Sequence, residues 1–258
     1  MLSLSKIQTI ALFTMRDILK SKILLNVFLI GLALMLLTYI AAEFTYGVPE
    51  RVALDIGLGM LTISSLGIAL FMGATLISKE IDSRTVYMII SRPVSRSSFI
   101  LGKVVGLLAV LVINILLLST MTLIATSLLG GKIDELVWWA IGFILIESLL
   151  LLLVVLFFSL ISNTILSIIM SLVLLFLGHA IQDTQSLSFV QERPLLGTLL
   201  KIYHLFLPGF YKLNLKDYIL YDQSLPFSYL SGSLIYGMAY SFFLIFIIIT
   251  IFEKKNLD

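Results

Sequence analysis

The chain contains no cysteine and only two histidines, His179 and His204, in 258 residues. The first absence excludes disulfides, zinc–thiolate centres and cysteine nucleophiles. The second leaves little for metal chemistry: the histidines are isolated, the nine methionines form no paired motif, and soft-metal transport needs such ligands. A metal site is not expected. Nor is a Ser-His-Asp hydrolase, because neither histidine stands in a recognisable catalytic setting. Charge is scarce as well. Asp, Glu, Lys and Arg make up 12% of the residues, and the net charge of +2 gives no basic excess for nucleic acid. The nucleotide-binding pattern GxxxxGK[ST] is also missing. Gly102-Lys103 and Gly131-Lys132 lack the upstream glycine, and neither is followed by Ser or Thr, so the chain does not bind ATP through a P-loop.

What is present is apolar. Hydrophobic residues form 60% of the chain and the mean hydropathy is +1.12. They fall into runs of roughly 20 residues, the length a helix needs to cross about 30 Å of hydrocarbon. Alternating segments of about 10 residues, the mark of a membrane β-barrel, do not occur. Six runs stand out: Ile23 to Ala42, Ile56 to Ile77, Leu101 to Leu129, Val137 to Ile161, Thr164 to Ile181 and Tyr229 to Phe252. The expectation is an all-α membrane protein with six transmembrane helices in one domain spanning 1–258. The third run is longer than a bilayer requires and should tilt or project. Only Ser162 and Asn163 separate the fourth from the fifth, which predicts a tight helical hairpin. The first run is too long for the core of a cleavable signal and reads as a permanent span.

Lys and Arg set the orientation. With a cytoplasmic N-terminus, Lys6, Arg16, Lys20, Lys22, Lys79, Arg84, Arg92, Arg96, Lys103, Lys254 and Lys255 lie inside. Arg51, Lys132, Arg193, Lys201, Lys212 and Lys216 lie outside, spread over a longer stretch. Both termini are therefore expected in the cytoplasm, with Trp138 and Trp139 at the outer interface. Three parts lie outside the spans. Residues 1–22 mix Leu4, Ile7, Ile10, Ala11 and Ile18 with Lys6, Arg16 and Lys20, as in a helix lying on the inner surface; a frayed polar leader is the alternative. Residues 78–100 are the most charged stretch. Residues 182–228 form an outer segment too long for a simple connection. There, Pro194 suits a helix start, Leu195, Leu196, Leu199, Ile202, Leu205 and Phe206 make an apolar stripe, and Pro208-Gly209 stops it. This segment should fold back as a re-entrant element.

Residues Lys79 to Ile90 contain no helix breaker and place Ile81, Thr85, Met88 and Ile89 on one face. Pro93 forbids a continuous helix. A short surface helix, a break, and a restart into the third span at Phe99 are expected. An element joined rigidly to two spans can pass a push from a soluble partner to the membrane helices; an ordinary positive-inside loop is the plainer reading.

The stretch KEIDSRTVYMIISRPVSRSSFILGK resembles the coupling segment of type-2 ABC exporter permeases, in particular the branch that includes permeases implicated in multicopper-enzyme and nitrous-oxide-reductase maturation. Asp55-Ile56-Gly57-Leu58-Gly59, Leu207-Pro208-Gly209-Phe210, Asn214-Leu215-Lys216-Asp217 and Phe252-Glu253-Lys254-Lys255-Asn256-Leu257 fit the same branch, though Asn256 replaces the family's usual acid. The resemblance implies a permease subunit of the bacterial cytoplasmic membrane, not itself an enzyme, that exports an unidentified substrate. It implies two ABC ATPase subunits holding ATP and Mg, and a second permease copy as a homodimer or a paralogue. Lys79, Glu80, Asp82, Arg84, Thr85, Tyr87, Arg92, Pro93, Ser95 and Arg96 would then couple the permease to the ATPase. A rival reading keeps these parts but transports nothing, passing ATPase motion to a periplasmic protein docked on 182–228.

Within the spans, Glu147 is the sharpest anomaly, since intramembrane carboxyls are rare and functional by default. Asn114 should lie at a similar depth and is a candidate hydrogen-bond partner. The functional reading is a polar group on the route or its gate; the plainer one is a protonated Glu bridging two helices. An intramembrane enzyme using Glu147 lacks a second catalytic group. Ser65, Ala69 and Gly73 recur every four residues on the second span, and Gly102 and Gly106 repeat the spacing on the third. Such stripes mark close helix packing, within the chain or at a dimer interface.

Overall fold

The computed structural model describes residues 4–20, 23–44, 48–82, 95–186, 207–221 and 223–254. Among them there are helices and no strands. The helices are α1 (Leu4–Lys20), α2 (Ile23–Glu43), α3 (Pro49–Asp82), α4 (Arg96–Leu128), α5 (Glu135–Ile161), α6 (Thr164–Ser186), α7 (Lys216–Leu220) and α8 (Phe227–Lys254), with a 3-10 turn at Phe210–Leu213 before α7. Four of them, α3, α4, α5 and α8, are long and apolar enough to cross a membrane. Shorter apolar stretches occupy Val27–Ala41 in α2 and Thr164–Ala180 in α6.

Helix ends follow local chemistry more than the edges of the apolar runs. Helix α3 starts at Pro49, where the missing N–H costs nothing, well before the apolar run begins at Ile56. Helix α4 starts at Arg96 rather than at Phe99, because Ser95 caps it: the Ser98 N–H donates to Ser95 Oγ at 3.3 Å. Helix α5 ends at Ser162, and Asn163 opens α6 by accepting from the Leu166 N–H at 2.9 Å. This two-residue link makes α5 and α6 an antiparallel hairpin.

Helix α5 is the centre of the bundle. Of its apolar stretch 67% is buried, against 22% in α8. Every residue from Leu150 to Leu156 is buried, nearly two turns with no side left open. Helices α3, α6 and α8 and the 3-10 turn pack around it. On α3, Ser65 and Ala69 are fully buried, and Gly73 lies against Leu152 and Val155 of α5. This small-residue stripe is thus consumed inside the chain.

Gly102 and Gly106 of α4 receive α1, the N-terminal helix. A Cβ on Gly106 would stand 2.7 Å from the Ala11 carbonyl oxygen, and one on Gly102 would stand 2.7 Å from Ile10 Cβ. Helix α1 buries Ala11, Thr14 and Ile18, while Leu4 and Phe13 are exposed. Leu4 therefore does not share the packed face. Thr14 sits in this contact without penalty, its hydroxyl donating to the Ile10 carbonyl at 2.9 Å.

This geometry yields a paired test. Gly106→Val must push the α1 backbone away and should lower stability by about 1–3 kcal/mol. Gly142→Ala, at a glycine with nothing within 4 Å, should be neutral or stabilising by up to about 1 kcal/mol. Thermal unfolding of both purified variants in the same detergent checks the contrast; equal melting temperatures would show that the α1 contact is not tight.

Candidate functional site

Two places join polar chemistry to the bundle. The first lies at the α4 start. Arg96 donates from one guanidinium nitrogen to the carbonyl oxygens of Phe252 at 3.3 Å and Glu253 at 3.1 Å, in the last turn of α8. Those carbonyls lie in the last described turn of α8, where a cation complements the helix dipole by about 0.3–1 kcal/mol. Next to this clamp the Phe99 and Phe252 rings stack at 6.1 Å, and the Lys103 ammonium lies 5.7 Å from the Phe99 ring centre. Of the expected coupling residues, Ser95 is thus the cap of α4 and Arg96 the tie between α4 and α8. Lys79, Glu80 and Asp82 belong to the last turns of α3. Arg84, Thr85, Tyr87, Arg92 and Pro93 lie outside the described residues.

The second place is Glu147, in the middle of α5 and 2% exposed. Its neighbour is not Asn114. Asn114 is fully buried between α4 and α3, accepting from Ser64 Oγ at 3.1 Å and donating to Ser65 Oγ at 3.2 Å. Equal depth did not bring the two together, because they face different helices. Glu147 Oε1 instead lies 3.2 Å from Nε2 of His179 on α6. The sequence reading missed this pair, yet a signal was there. Glu147 stands fifteen residues before Ser162 and His179 sixteen after Asn163, so an antiparallel hairpin sets them at one level.

The imidazole is held on three sides. Its Nδ1 is 3.0 Å from the Leu175 carbonyl oxygen, and its ring stacks on Phe210 with 6.0 Å between centres and 3° between planes. Phe210 is fully buried and comes this close because residue 178 is glycine: a Cβ there would lie 2.5 Å from the Pro208 carbonyl oxygen. The Leu207-Pro208-Gly209-Phe210 turn is therefore wedged against α6, and the Gly209 N–H donates to the Tyr236 hydroxyl of α8 at 2.8 Å.

This arrangement fixes the proton count. A carbonyl oxygen only accepts, so Nδ1 carries a hydrogen. Nε2 then either points a bare lone pair at a protonated Glu147 or, as imidazolium, faces a carboxylate. Both states are neutral overall, as an apolar setting demands, since an unpaired charge at a helix centre costs about 2.5–3.5 kcal/mol. The Nε2–Oε1 contact is an ion-pair distance without good hydrogen-bond alignment, and Oε1 has no other donor among the described residues. Glu147 is sealed off, whereas the His179 side chain is 32% exposed. It opens onto a cleft of about 550 Å³ between the end of α6 and the 207–223 segment.

Around this cleft, Lys216 pairs with Asp55 at the start of α3 at 2.6 Å, and Arg51 donates to the Leu220 carbonyl at 3.3 Å. Two of the short sequence fragments, around Asp55 and around Lys216, are thereby brought together. Both partners are half exposed, so the pair is worth at most about 1 kcal/mol and serves mainly to orient the segment. Burial pushes the Tyr211 phenol above its ordinary pKa, with Tyr236 nearby adding to the shift. Among the described residues no group of three or more His, Asp or Glu side chains is gathered to hold a metal ion.

Glu147→Gln should be tolerated, since the amide N–H can donate to the bare Nε2 while Nδ1 stays protonated. Glu147→Leu and His179→Leu should each cost roughly 0.6–2 kcal/mol, and the double variant less than their sum. A double-mutant cycle from thermal unfolding in detergent measures this coupling. Strict additivity would mean that the two side chains do not interact.

No curated protein matches the chain. A family model described as ABC-2 family transporter protein matches residues 8–175, from α1 through most of α6. Such permeases are the membrane components of ABC transporters and work with an ABC ATPase. With its all-helical fold and membrane-length apolar helices, the chain belongs to the ABC-2 transporter family and is a multi-pass membrane permease.

Proposed function

We propose that the chain couples ATP hydrolysis on a separate ATPase to export of a substrate across the bacterial cytoplasmic membrane. In this reading it has six spans and cytoplasmic termini, and works as a homodimer, or with a paralogue, above two ATPases that carry the ATP and Mg. The sequence resemblance to the maturation-permease branch supports this finer assignment. Span count is supported by length: α2 and α6 have 21 and 23 residues, roughly 31 and 34 Å of helix against a hydrocarbon layer of about 30 Å. Orientation is supported by charge, as argued from the Lys and Arg distribution.

The observation that carries the coupling reading is the Arg96 clamp. The segment 78–100 joins α3 to α4, and its last residues are tied to the end of α8. A push on Lys79, Glu80, Asp82, Arg84, Thr85, Tyr87, Arg92 or Pro93 would thus act on three spans together. The other end of α8 holds the 207–221 segment through Tyr236. That link favours a second reading as well, in which the same motion is passed to a periplasmic protein docked on the outer segment and nothing is transported.

Topology is checked by single cysteines in this cysteine-free chain. Ones at Ser3, Ser95 and Asn256 should be shielded from an impermeant thiol reagent in intact cells, while ones at Ser186 and Ser224 should react. Labelling at Ser95 from outside would overturn the orientation and the coupling role together.

Coupling itself has two signatures. Charge reversal at Glu80 or Arg84, or Pro93→Ala, should weaken co-purification with the ATPase or uncouple hydrolysis. Arg96→Ala should leave the ATPase bound but lower substrate-stimulated hydrolysis several-fold. Full binding and turnover in all four variants would sink the assignment.

A further inference from the structure

We propose that the cleft beside His179 is a binding site for a small organic cation, a protonated amine or a quaternary ammonium. The cleft has a volume of about 550 Å³, within the ordinary range of about 300–1,000 Å³ for small-molecule sites. It is lined by three tyrosines, Tyr211, Tyr218 and Tyr221, together with Asp217 and His179. Aromatic faces carry negative charge density and attract an ammonium, more strongly when it is partly desolvated. Asp217 adds the counter-charge.

Other ligand classes fit less well. An anion would meet Asp217 and electron-rich rings, and no lysine or arginine lines the cleft among the described residues. The two lysines of this segment are engaged elsewhere: Lys216 with Asp55, and Lys212 over the Tyr236 ring at 4.3 Å. Among the described residues a metal ion lacks a set of three His, Asp or Glu ligands. An apolar ligand would lie against three polar side chains, Asp217, Asn214 and Gln223. The Lys212 ammonium also lies 5.8 Å from the Tyr211 ring centre, so Tyr211 already holds a cation of the chain and the ligand's contacts fall to Tyr218, Tyr221 and Asp217.

His179 separates the cleft from the buried Glu147 carboxyl.

The binding claim does not depend on the export reading, and its test needs no ATPase. The full chain is reconstituted in lipid nanodiscs and titrated by calorimetry with tetraethylammonium, with maltose as a neutral polyhydroxy control and sulfate as an anion control. Saturable binding of tetraethylammonium alone is expected, weakened about tenfold or more by Asp217→Asn and by Tyr218→Leu. Tyr221→Leu, at a side chain already exposed, supplies a variant whose fold is not at risk and should also weaken binding. No saturable binding, preference for maltose or sulfate, or equal affinity in Asp217→Asn and Tyr221→Leu would each overturn the proposal.

Discussion

Hydrocarbon offers no water to a polar group, and the bundle is organised by that constraint. Hydroxyls are satisfied within their own helix: Thr62 donates to Leu58, Ser65 to Leu61, Ser148 to Ile144, Ser171 to Ser167 and Ser241 to Gly237, each one turn back. An amide has no such local solution, so Asn114 is held between two serines of the neighbouring helix. A carboxyl is harder still, because it must be neutral or paired. Among the described residues Glu147 faces His179 at 3.2 Å, and His179 is placed by Leu175 and Phe210. The 207–213 turn is thus part of the solvation of a group inside the bundle.

The helices were legible because their signal is local. Twenty apolar residues in a row must become a helix, and the six runs match six helices to within a few residues at most ends. Where the ends differ, short-range chemistry explains it: Ser95 and Pro49 set helix starts that hydropathy alone does not see. What the sequence could not supply was azimuth. Depth placed Asn114 and Glu147 at similar levels, but each faces a different neighbour, and depth carries no information about rotation around a helix axis. The glycine spacing at Gly102 and Gly106 announced a close contact without naming α1 as the visitor. Counting outward from the Ser162-Asn163 turn does name His179, because a two-residue link fixes the register of the two helices.

The same distinction bears on segment 78–100. The coupling role proposed for it rests on residue pattern and on the family to which residues 8–175 belong. Its mechanical meaning rests on Arg96, whose partners 156 and 157 residues away no local pattern reveals.

Helix α8 is where the two ends of the molecule meet. At one end it receives Arg96 and the Phe99 ring, and at the other it holds Gly209 through Tyr236 and packs Phe227 against Trp139. It is also the least enclosed of the four membrane-length helices, with Ile235, Phe242 and Phe246 fully on the outside. Displacing α5 would disturb packing on every side, since no face of Leu150 to Leu156 is open. Displacing α8 disturbs one face only. Its other face meets lipid, which is as apolar as the side chains and resists no sliding contact. A helix of 28 residues keeps its internal hydrogen bonds while it moves, so a shift imposed at Glu253 arrives at Tyr236. There it acts on the turn that positions Phe210, and Phe210 positions His179. Of these two displacements, the one that disturbs less packing is therefore also the one that reaches the buried carboxyl.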